Sequence, residues 1–476
     1  MTFSEPYTPY CGLEYNDHTQ PVRVSTAPHV AITAPTRAGK TRKILGPAAV
    51  LHPGPVFSCS SKPDLAQLVI PHRAKGPIGV LDLSPVKTET WPSDVKSMVS
   101  DPTTAITTAD EALTVAETML ATSGVGFGGA TAGASVSSGG LWESTAAPPL
   151  AALLYAASPR GNNQGMPWVL KAAENYGLPN PQDQDDDSGP AALAPQVPPE
   201  SWMKAYELCP HPELSEPLLA MLGMDPRMRD SVAITARKAI RPWLRLGLAT
   251  AAKLETLSAV EQLDVHNFDF SLLDDPDATI FLIAPKHGTV AGVAVALIDS
   301  IIQHFRRKAA NHQLTHRLLL QLDEVCNASP LPNLLDYCGE SAGLGVNIQM
   351  TVQASSHFDV IYGPKYADAL RDMIPGWVIM YGSHERHLLE QASHWLGLST
   401  RRTESYEPNS GHRGQSSVFG QEIEWQEFLP QDLTEARLLT RGAPGKKVLI
   451  PDFDDFIDIY RQAVNKRIQR MSATAT

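Results

Sequence analysis

Cysteine is scarce in this sequence. The five present (Cys11, Cys59, Cys209, Cys326 and Cys338) are scattered, odd in number and free of any Cys-x-x-Cys or Cys/His ligand spacing. A disulfide scaffold and a structural zinc site are excluded, and reduced intracellular thiols are expected. Long hydrophobic runs are missing too. No stretch of about 18 strongly apolar residues occurs, so no transmembrane helix is expected. The uncharged stretch Thr122 to Trp142 has the Gly/Ala/Ser/Thr composition of a loop. Met1 to Pro28 is polar and rich in Pro and Thr, without a basic segment leading into an apolar one, so no secretory signal is expected. Positive charge is in deficit: 39 Lys and Arg against 51 Asp and Glu give a formal charge of −12 over 476 residues. Any phosphate-binding surface must therefore be a local patch, because the field of the whole molecule opposes it.

What is there suffices for a large core. Hydrophobic residues make up 43% and charged residues 19%, which excludes a globally disordered chain, and 39 prolines with 33 glycines imply many turns rather than a plain helical bundle. At about 150 residues per domain, the length allows roughly three domains, or one large core with an insertion.

Two stretches alternate short apolar strands with helical patterns. In the first, His29 to Thr33 is a strand, Lys40 to Leu51 a helix, Pro55 to Ser58 a strand, Pro63 to His72 a helix, and Ile78 to Asp82 a strand. In the second, strands are expected at Ala278 to Ile283, Arg317 to Leu322, Val346 to Thr351 and Trp377 to Met380, with a helix from about Thr289 to Lys308. This rhythm predicts an α/β fold with a mostly parallel sheet covered on both faces. Between the two, from about Thr104 to Leu257, the pattern is Ala/Leu-rich and helical, interrupted by the acidic run Gln182 to Gly189, a solvated loop. The expected organisation is a nucleotide-binding core in two parts, 1–103 and 258–450, an all-α insertion over 104–257, and a C-terminal helical tail over 451–476 that docks a partner or packs in a ring.

The first strand runs into Ala34-Pro35-Thr36-Arg37-Ala38-Gly39-Lys40-Thr41-Arg42. A glycine-containing turn between a strand and a helix, closed by Gly-Lys-Thr, is the context of a phosphate-binding loop: backbone N–H groups and the helix N-terminus face the anion. Pro35 to Arg42 are the candidate nucleotide contacts. Lys40 would reach the β- and γ-oxygens of ATP, and Thr41 would ligate Mg2+. Ala34 stands where this loop usually begins with Gly, which is tolerable if its φ is negative. The apolar strand ending in Asp323-Glu324 supplies a second element, because ligands of open α/β sheets bind at the carboxyl ends of the strands. Asp323 would hold Mg2+ through water, and Glu324 would activate the attacking water. Gln353, after the next strand, could bond the γ-phosphate or that water, or simply cap a helix.

Arg237, Lys238, Arg241 and Arg245 share one helical face of the insertion, a candidate DNA contact or an ordinary solvated face. Arg461, Lys466, Arg467 and Arg470 form a second basic cluster near the C-terminus. His384 and His387 lack a third ligand and read as a helix start. Trp91, Trp142, Trp243 and Trp395 read as core or cap residues.

Several segments occur in an order that resembles the TraG/TraD family of type IV secretion coupling proteins, within the FtsK/HerA-like ring ATPases. They are the phosphate loop, Ser60-Ser61-Lys62-Pro63-Asp64-Leu65, Leu81-Asp82-Leu83-Ser84-Pro85, Trp91-Pro92, the strand ending Leu322-Asp323-Glu324, and Gly345 to Gln353. The resemblance spans both α/β stretches and places the helical insertion where that family carries its all-α domain. It implies a RecA-like P-loop NTPase core, hydrolysis of ATP with Mg2+, and a hexameric ring. It also implies movement of DNA or a relaxase-type nucleoprotein toward a secretion channel. Family members usually begin with transmembrane helices. Without one, a cytoplasmic chain is expected, reaching the inner face of the membrane through channel or membrane-anchor proteins. The family often carries an arginine before the Gly-hydrophobic strand, where this chain has Glu340-Ser341-Ala342-Gly343; Arg371, Arg386 and Arg401 are the candidate substitutes for an arginine finger. Alternative readings are a docking protein that binds nucleotide with little hydrolysis, and another DNA-translocating or packaging ring ATPase.

Overall fold

The computed structural model describes residues 8–73, 75–84, 90–123, 139–178, 197–256, 265–284, 290–406, 413–443 and 445–474. The acidic run Gln182 to Gly189 and most of the glycine-rich stretch lie outside them, as does the expected helix start at Thr289.

The strands are β1 (Leu13–Glu14), β2 (Val30–Thr33), β3 (Val56–Ser60), β4 (Ile78–Asp82), β5 (Val95–Val99), β6 (Val265–Asn267), β7 (Thr279–Ile283), β8 (Leu318–Leu322), β9 (Val346–Val352) and β10 (Gly376–Met380). They continue with β11 (Leu398–Tyr406), β12 (Arg413–Gln421), β13 (Glu435–Thr440) and β14 (Lys446–Leu449). All but β11 and β12 form a 12-stranded sheet in the order β1-β14-β13-β10-β2-β9-β8-β3-β7-β4-β5-β6. From β10 through to β6 every neighbouring pair is parallel, while β13, β14 and β1 form an antiparallel margin. The mostly parallel α/β fold read from the sequence is the fold observed. The strands β1, β5, β6, β13 and β14 and the separate two-stranded hairpin β11–β12 were not anticipated.

Helices α1 (Gly46–Leu51) and α2 (Asp64–Val69) precede the helical region. That region comprises α3 (Ala109–Thr122), α4 (Gly139–Ala157), α5 (Gly165–Ala172), α6 (Trp202–Leu208), α7 (Pro212–Leu222) and α8 (Pro226–Thr256). Leu150 to Ala157 of α4 are buried throughout, so this helix is the axis of the region, as an all-round apolar helix must be. A capping box of Thr108 and Glu111 starts α3 by satisfying N–H groups that have no partner inside the helix. Helices α3 and α8 pack on α9 (Val290–Ala310), which joins the helical region to the sheet. The remaining helices are α10 (Val325–Ala328), α11 (Leu334–Glu340), α12 (His357–Tyr362), α13 (Pro364–Met373), α14 (Arg386–Leu396) and α15 (Phe453–Thr474).

The C-terminal helix is not a detached tail. Phe453, Phe456 and Ile457 are buried in the same cluster as Ile44, Leu45 and Leu65, on the face of the sheet that carries α1 and α2. Of the four tryptophans read as core or cap residues, Trp243 is buried and Trp91 and Trp142 are half-buried, but Trp395 is 48% exposed at the end of α14. Its helix ends there at Gly397, before anything covers the ring. No helix among the described residues is long and apolar enough to cross a membrane.

Candidate functional site

The site is built where β2, β8 and β9 end side by side. β2 is buried along its length and releases the chain at Ala34 into the turn that leads to Lys40. Positive φ occurs at Arg37 (65°) and Gly39 (90°) but not at Ala34, so the alanine meets the condition its methyl group sets. At Gly39 a side chain is disfavoured twice, by the φ and by a Cβ position 3.0 Å from the Lys43 side chain. Lys40 is buried, and its Nζ donates to the carbonyls of Ala34 (2.8 Å) and Pro35 (3.3 Å), closing the loop over itself.

The helix that follows opens with a π-helical turn, Thr41–Leu45, in which the Gly46 N–H bonds the Thr41 carbonyl. Pro47 has no N–H to give. Gly46 permits close packing: a Cβ there would lie 2.8 Å from Leu68 and 2.9 Å from Phe453. The Leu45 carbonyl also accepts from Gln321 Nε2 at 2.8 Å, which ties the phosphate-loop helix to the strand that leads to Asp323. Gln321 also bonds Ser58 (2.7 Å) and Gln349 (2.9 Å), forming a buried polar rung across β3, β8 and β9.

One step toward the strand ends lies a second rung. The buried Asp323 accepts from Thr351 Oγ1 (2.8 Å) and Ser60 Oγ (3.0 Å). Burial pushes its carboxyl above the usual range; the two hydroxyl bonds and Lys40 pull the other way, while Glu324 adds to the rise. Such a carboxylate gains by meeting a cation. Glu324 is left-handed (φ 51°, ψ 55°), and its N–H donates to Thr351 Oγ1 at 2.8 Å. Its side chain faces two amides, Gln353 Nε2 at 3.4 Å and Asn327 Nδ2 at 3.5 Å.

A cavity of about 610 Å³ lies between these parts, lined by Thr36, Arg37, Gly39, Lys40, Thr41 and Arg42 on one side and Asp323 and Glu324 on the other. The fold thus brings most of the expected nucleotide contacts together with both carboxylates, and sets Gln353 against Glu324. Ala38 and Pro35 shape the loop without lining the cavity. Arg42 also pairs with Asp452 (2.7 Å) and Asp454 (3.0 Å) at the start of α15. The residues fit a Mg2+–nucleotide: an anion-facing turn with a lysine, the Thr41 hydroxyl, and a buried carboxylate opposite. The sequence reading missed Ser60, Thr351 and Asn327 as site residues, together with Lys62, Asp64 and Gln67 on the far wall. Thr351 lies two residues before Gln353 on a strand, hence on the same face, and that period was the available signal.

The remaining candidates lie elsewhere. Arg371 is engaged within its own fold: it bonds Ser355 (3.3 Å from Nε to Oγ, 3.0 Å from a terminal nitrogen to the carbonyl), and pairs with Asp359 and with Asp368 (2.8 Å). Arg386 is 70% exposed, pairs with Glu390 at 2.7 Å and lies over the Trp425 ring. Arg401 is on β11, its side chain outside the described ones. On α8, Lys238, Arg241 and Arg245 are exposed, whereas Arg237 donates to the Ala173 carbonyl at 2.9 Å and approaches Glu174 at 3.6 Å, so it belongs partly to the packing of its own domain. His384 and His387 are exposed, and no metal-binding cluster of His, Cys, Asp or Glu occurs among the described residues.

Residues 317–441, which include Asp323, Glu324, Thr351 and Gln353, match the family described as the TraM recognition site of TraD and TraG. No curated protein matches the sequence significantly. The fold is similar to the bacterial conjugative coupling protein TrwB in an unbound form, at 15% identity and a TM-score of 0.56, over 90% of this chain and 86% of that one. It is likewise similar to the plasmid coupling protein TrwB with the ATP analogue ADPNP (14%, 0.56, 95% and 90%) and with ADP and Mg2+ (15%, 0.54, 91% and 87%). Residues 317–441 thus match the TraD/TraG family model, and the chain as a whole shares the fold of the coupling protein TrwB.

Proposed function

We propose that the chain binds and hydrolyses ATP with Mg2+, and couples that cycle to the recruitment and movement of DNA or a nucleoprotein toward a conjugation or type IV secretion channel. One observation carries the reading: Thr36, Arg37 and Gly39 to Arg42 of the loop line one cavity with the Asp323–Glu324 pair, and Gln353 bonds Glu324. Mg2+ would neutralise the β- and γ-oxygens of the nucleotide. Thr41 and Asp323 would hold it, Lys40 would leave the Ala34 and Pro35 carbonyls for the phosphates, and Glu324 would take a proton from the attacking water. Gln353 and Asn327 would keep the Glu324 carboxylate aimed. The exposed Lys238, Arg241 and Arg245 are the proposed DNA contact. A ring of copies, a hexamer as the family resemblance implies, would bring an arginine to each site in trans, with Arg386 and Arg401 as candidates. Relaxosome and channel or membrane-anchor proteins are the proposed partners, the first through residues 317–441, and they would hold the chain at the inner face of the membrane.

A second reading, nucleotide-controlled docking with slow hydrolysis, is favoured by the engagement of Arg371 and by the lack of an arginine at 340–343. Steady-state ATP turnover with and without single- and double-stranded DNA separates the two. Lys40→Ala should abolish nucleotide binding, and Glu324→Gln should bind ATP while turnover falls about 10²–10⁴-fold. Wild-type turnover in Glu324→Gln removes Glu324 as the base. Absence of turnover in a wild-type chain that binds ATP selects docking. Turnover indifferent to DNA counts against translocation.

A further inference from the structure

The Thr351 side chain bonds both members of the carboxylate pair. It is wholly buried on β9. Its Oγ1 accepts the Glu324 N–H at 2.8 Å and lies 2.8 Å from Asp323 Oδ1. An ionised carboxylate can only accept and a backbone N–H can only donate, so the single hydroxyl proton has one destination, Asp323. The bond network therefore has a fixed polarity, from the Glu324 amide through Thr351 to the Asp323 carboxylate. Ser60 gives Asp323 a second hydroxyl at 3.0 Å.

We propose that Thr351 is the positioning residue of this site: through one hydroxyl it orients the Asp323 carboxylate for the cation of a Mg2+–nucleoside triphosphate and pins the left-handed backbone that aims Glu324 into the cavity. The inference rests on the proposed roles of Asp323 and Glu324. A non-glycine residue keeps φ near +51° only where its surroundings hold it there, and the anchored N–H is such a hold. A valine at 351 would fill the same space while removing both bonds. It would leave the Glu324 N–H unpaired and let the Asp323 carboxylate turn about its one remaining hydroxyl partner. A serine would keep both.

The test titrates Mg2+ against binding of a fluorescent ATP analogue to the full chain, and measures ATP turnover at saturating Mg2+. For Thr351→Val the Mg2+ half-point is expected to rise about fivefold or more and kcat to fall about tenfold or more, the loss of charge-assisted and backbone bonds in a buried setting. Analogue binding without Mg2+ should stay within about twofold, since the phosphate loop is untouched. Thr351→Ser should restore both properties, which a purely space-filling role does not require. Ser60→Ala should raise the Mg2+ half-point while lowering kcat less than Thr351→Val, because the Glu324 anchor remains. A Thr351→Val protein with wild-type half-point and kcat overturns the proposal, and so does a serine variant as impaired as the valine. If the valine variant does not fold by circular dichroism, an unchanged half-point in Ser60→Ala overturns it instead. Failure of the underlying reading looks different: the wild-type chain would then bind no analogue, or bind it with no response to Mg2+.

Discussion

The two faces of the sheet invite comparison: both are buried, but at β3, β8 and β9 one is wholly apolar and the other sets polar rungs beside its apolar cluster. On the face toward α9 and the helical region, β8 contributes Leu318, Leu320 and Leu322, and β9 contributes Val346, Ile348, Met350 and Val352. On the face toward α1, α2 and α15, the same two strands present Gln321 and Asp323, and Asn347, Gln349 and Thr351, all with little or no exposure. β3 adds Ser58 and Ser60 to that face. An apolar face needs only volume and shape to be stable. The polar face must have every group partnered, and in return it fixes positions along definite directions. The difference teaches where geometry matters in this molecule: under the phosphate-loop helix and beside the carboxylates, and not under the helical region.

The sharpest way to break the polar face is at its far end. Arg73 is buried after α2, where Nε donates to Thr279 Oγ1 (2.7 Å) and the terminal nitrogens donate to the carbonyls of Ala49 (3.1 Å), His52 (2.6 Å) and Gly54 (2.8 Å). It closes the C-terminal end of α1. Arg73→Met should lower unfolding free energy by on the order of 5 kcal/mol, since three stranded carbonyls cost about 1–3 kcal/mol each. Urea denaturation measures this, and a loss under about 1 kcal/mol would mean that water serves those carbonyls equally well.

A closer comparison uses adjacent residues of β8 that point to opposite faces. Leu320→Ala should cost about 2–5 kcal/mol through the cavity it leaves. Gln321→Leu should cost about 2–4 kcal/mol, by stranding Ser58 Oγ and Gln349 Oε1 and cutting the tie to the Leu45 carbonyl. Similar losses should separate in nucleotide binding. Releasing Leu45 loosens the helix behind the phosphate loop, so only Gln321→Leu should weaken ATP binding per folded molecule. Equal affinities in the two variants would show that the polar rung is structural alone.

The sequence made the apolar face and the ends of the polar one readable. Short apolar runs separated by helical patterns indicated β2, β3, β4 and β7–β10, and strand ends followed by Gly-Lys-Thr or by Asp-Glu indicated the cavity. The rest was hidden for specific reasons. β1, β5, β6 and β14 are short or half-polar, and the hairpin strand Leu398–Tyr406 is a run of Ser, Thr, Arg and Glu with no apolar alternation. Thr351 inside an apolar strand reads as an ordinary β-former, and only its partners on β8 reveal its position. Arg73 reads as a solvated residue after a helix, because nothing local shows that three carbonyls converge on it.

A gentler probe of the polar face is pH. His52 is buried, and burial drives its pKa down from 6.5 to about 3 although its Nε2, bonded to the Arg317 carbonyl at 2.8 Å, pulls the other way. The folded value lies below the unfolded one. Its contribution is therefore full above pH 6.5 and is lost progressively as pH falls toward 3, where the unfolded chain binds a proton that the folded chain refuses. His52→Gln keeps a donor of similar reach without the titration, and its melting temperature should fall less steeply than that of wild type between those two pH values. Parallel curves would place the acid sensitivity elsewhere. The smallest effect belongs to the rim, where Asp452 meets Arg42 with both side chains more than a third exposed. The Arg42 hydrogen bond lowers the Asp452 pKa, so this contribution is present above the ordinary Asp value and disappears as pH falls through the lowered one. Solvent screens such a pair, and Asp452→Asn should cost only about 0–1 kcal/mol, less in high salt. A loss that persisted undiminished at high salt would mean that Arg42 and α15 are coupled as tightly as the buried rungs, and that the polar face extends to the molecular surface.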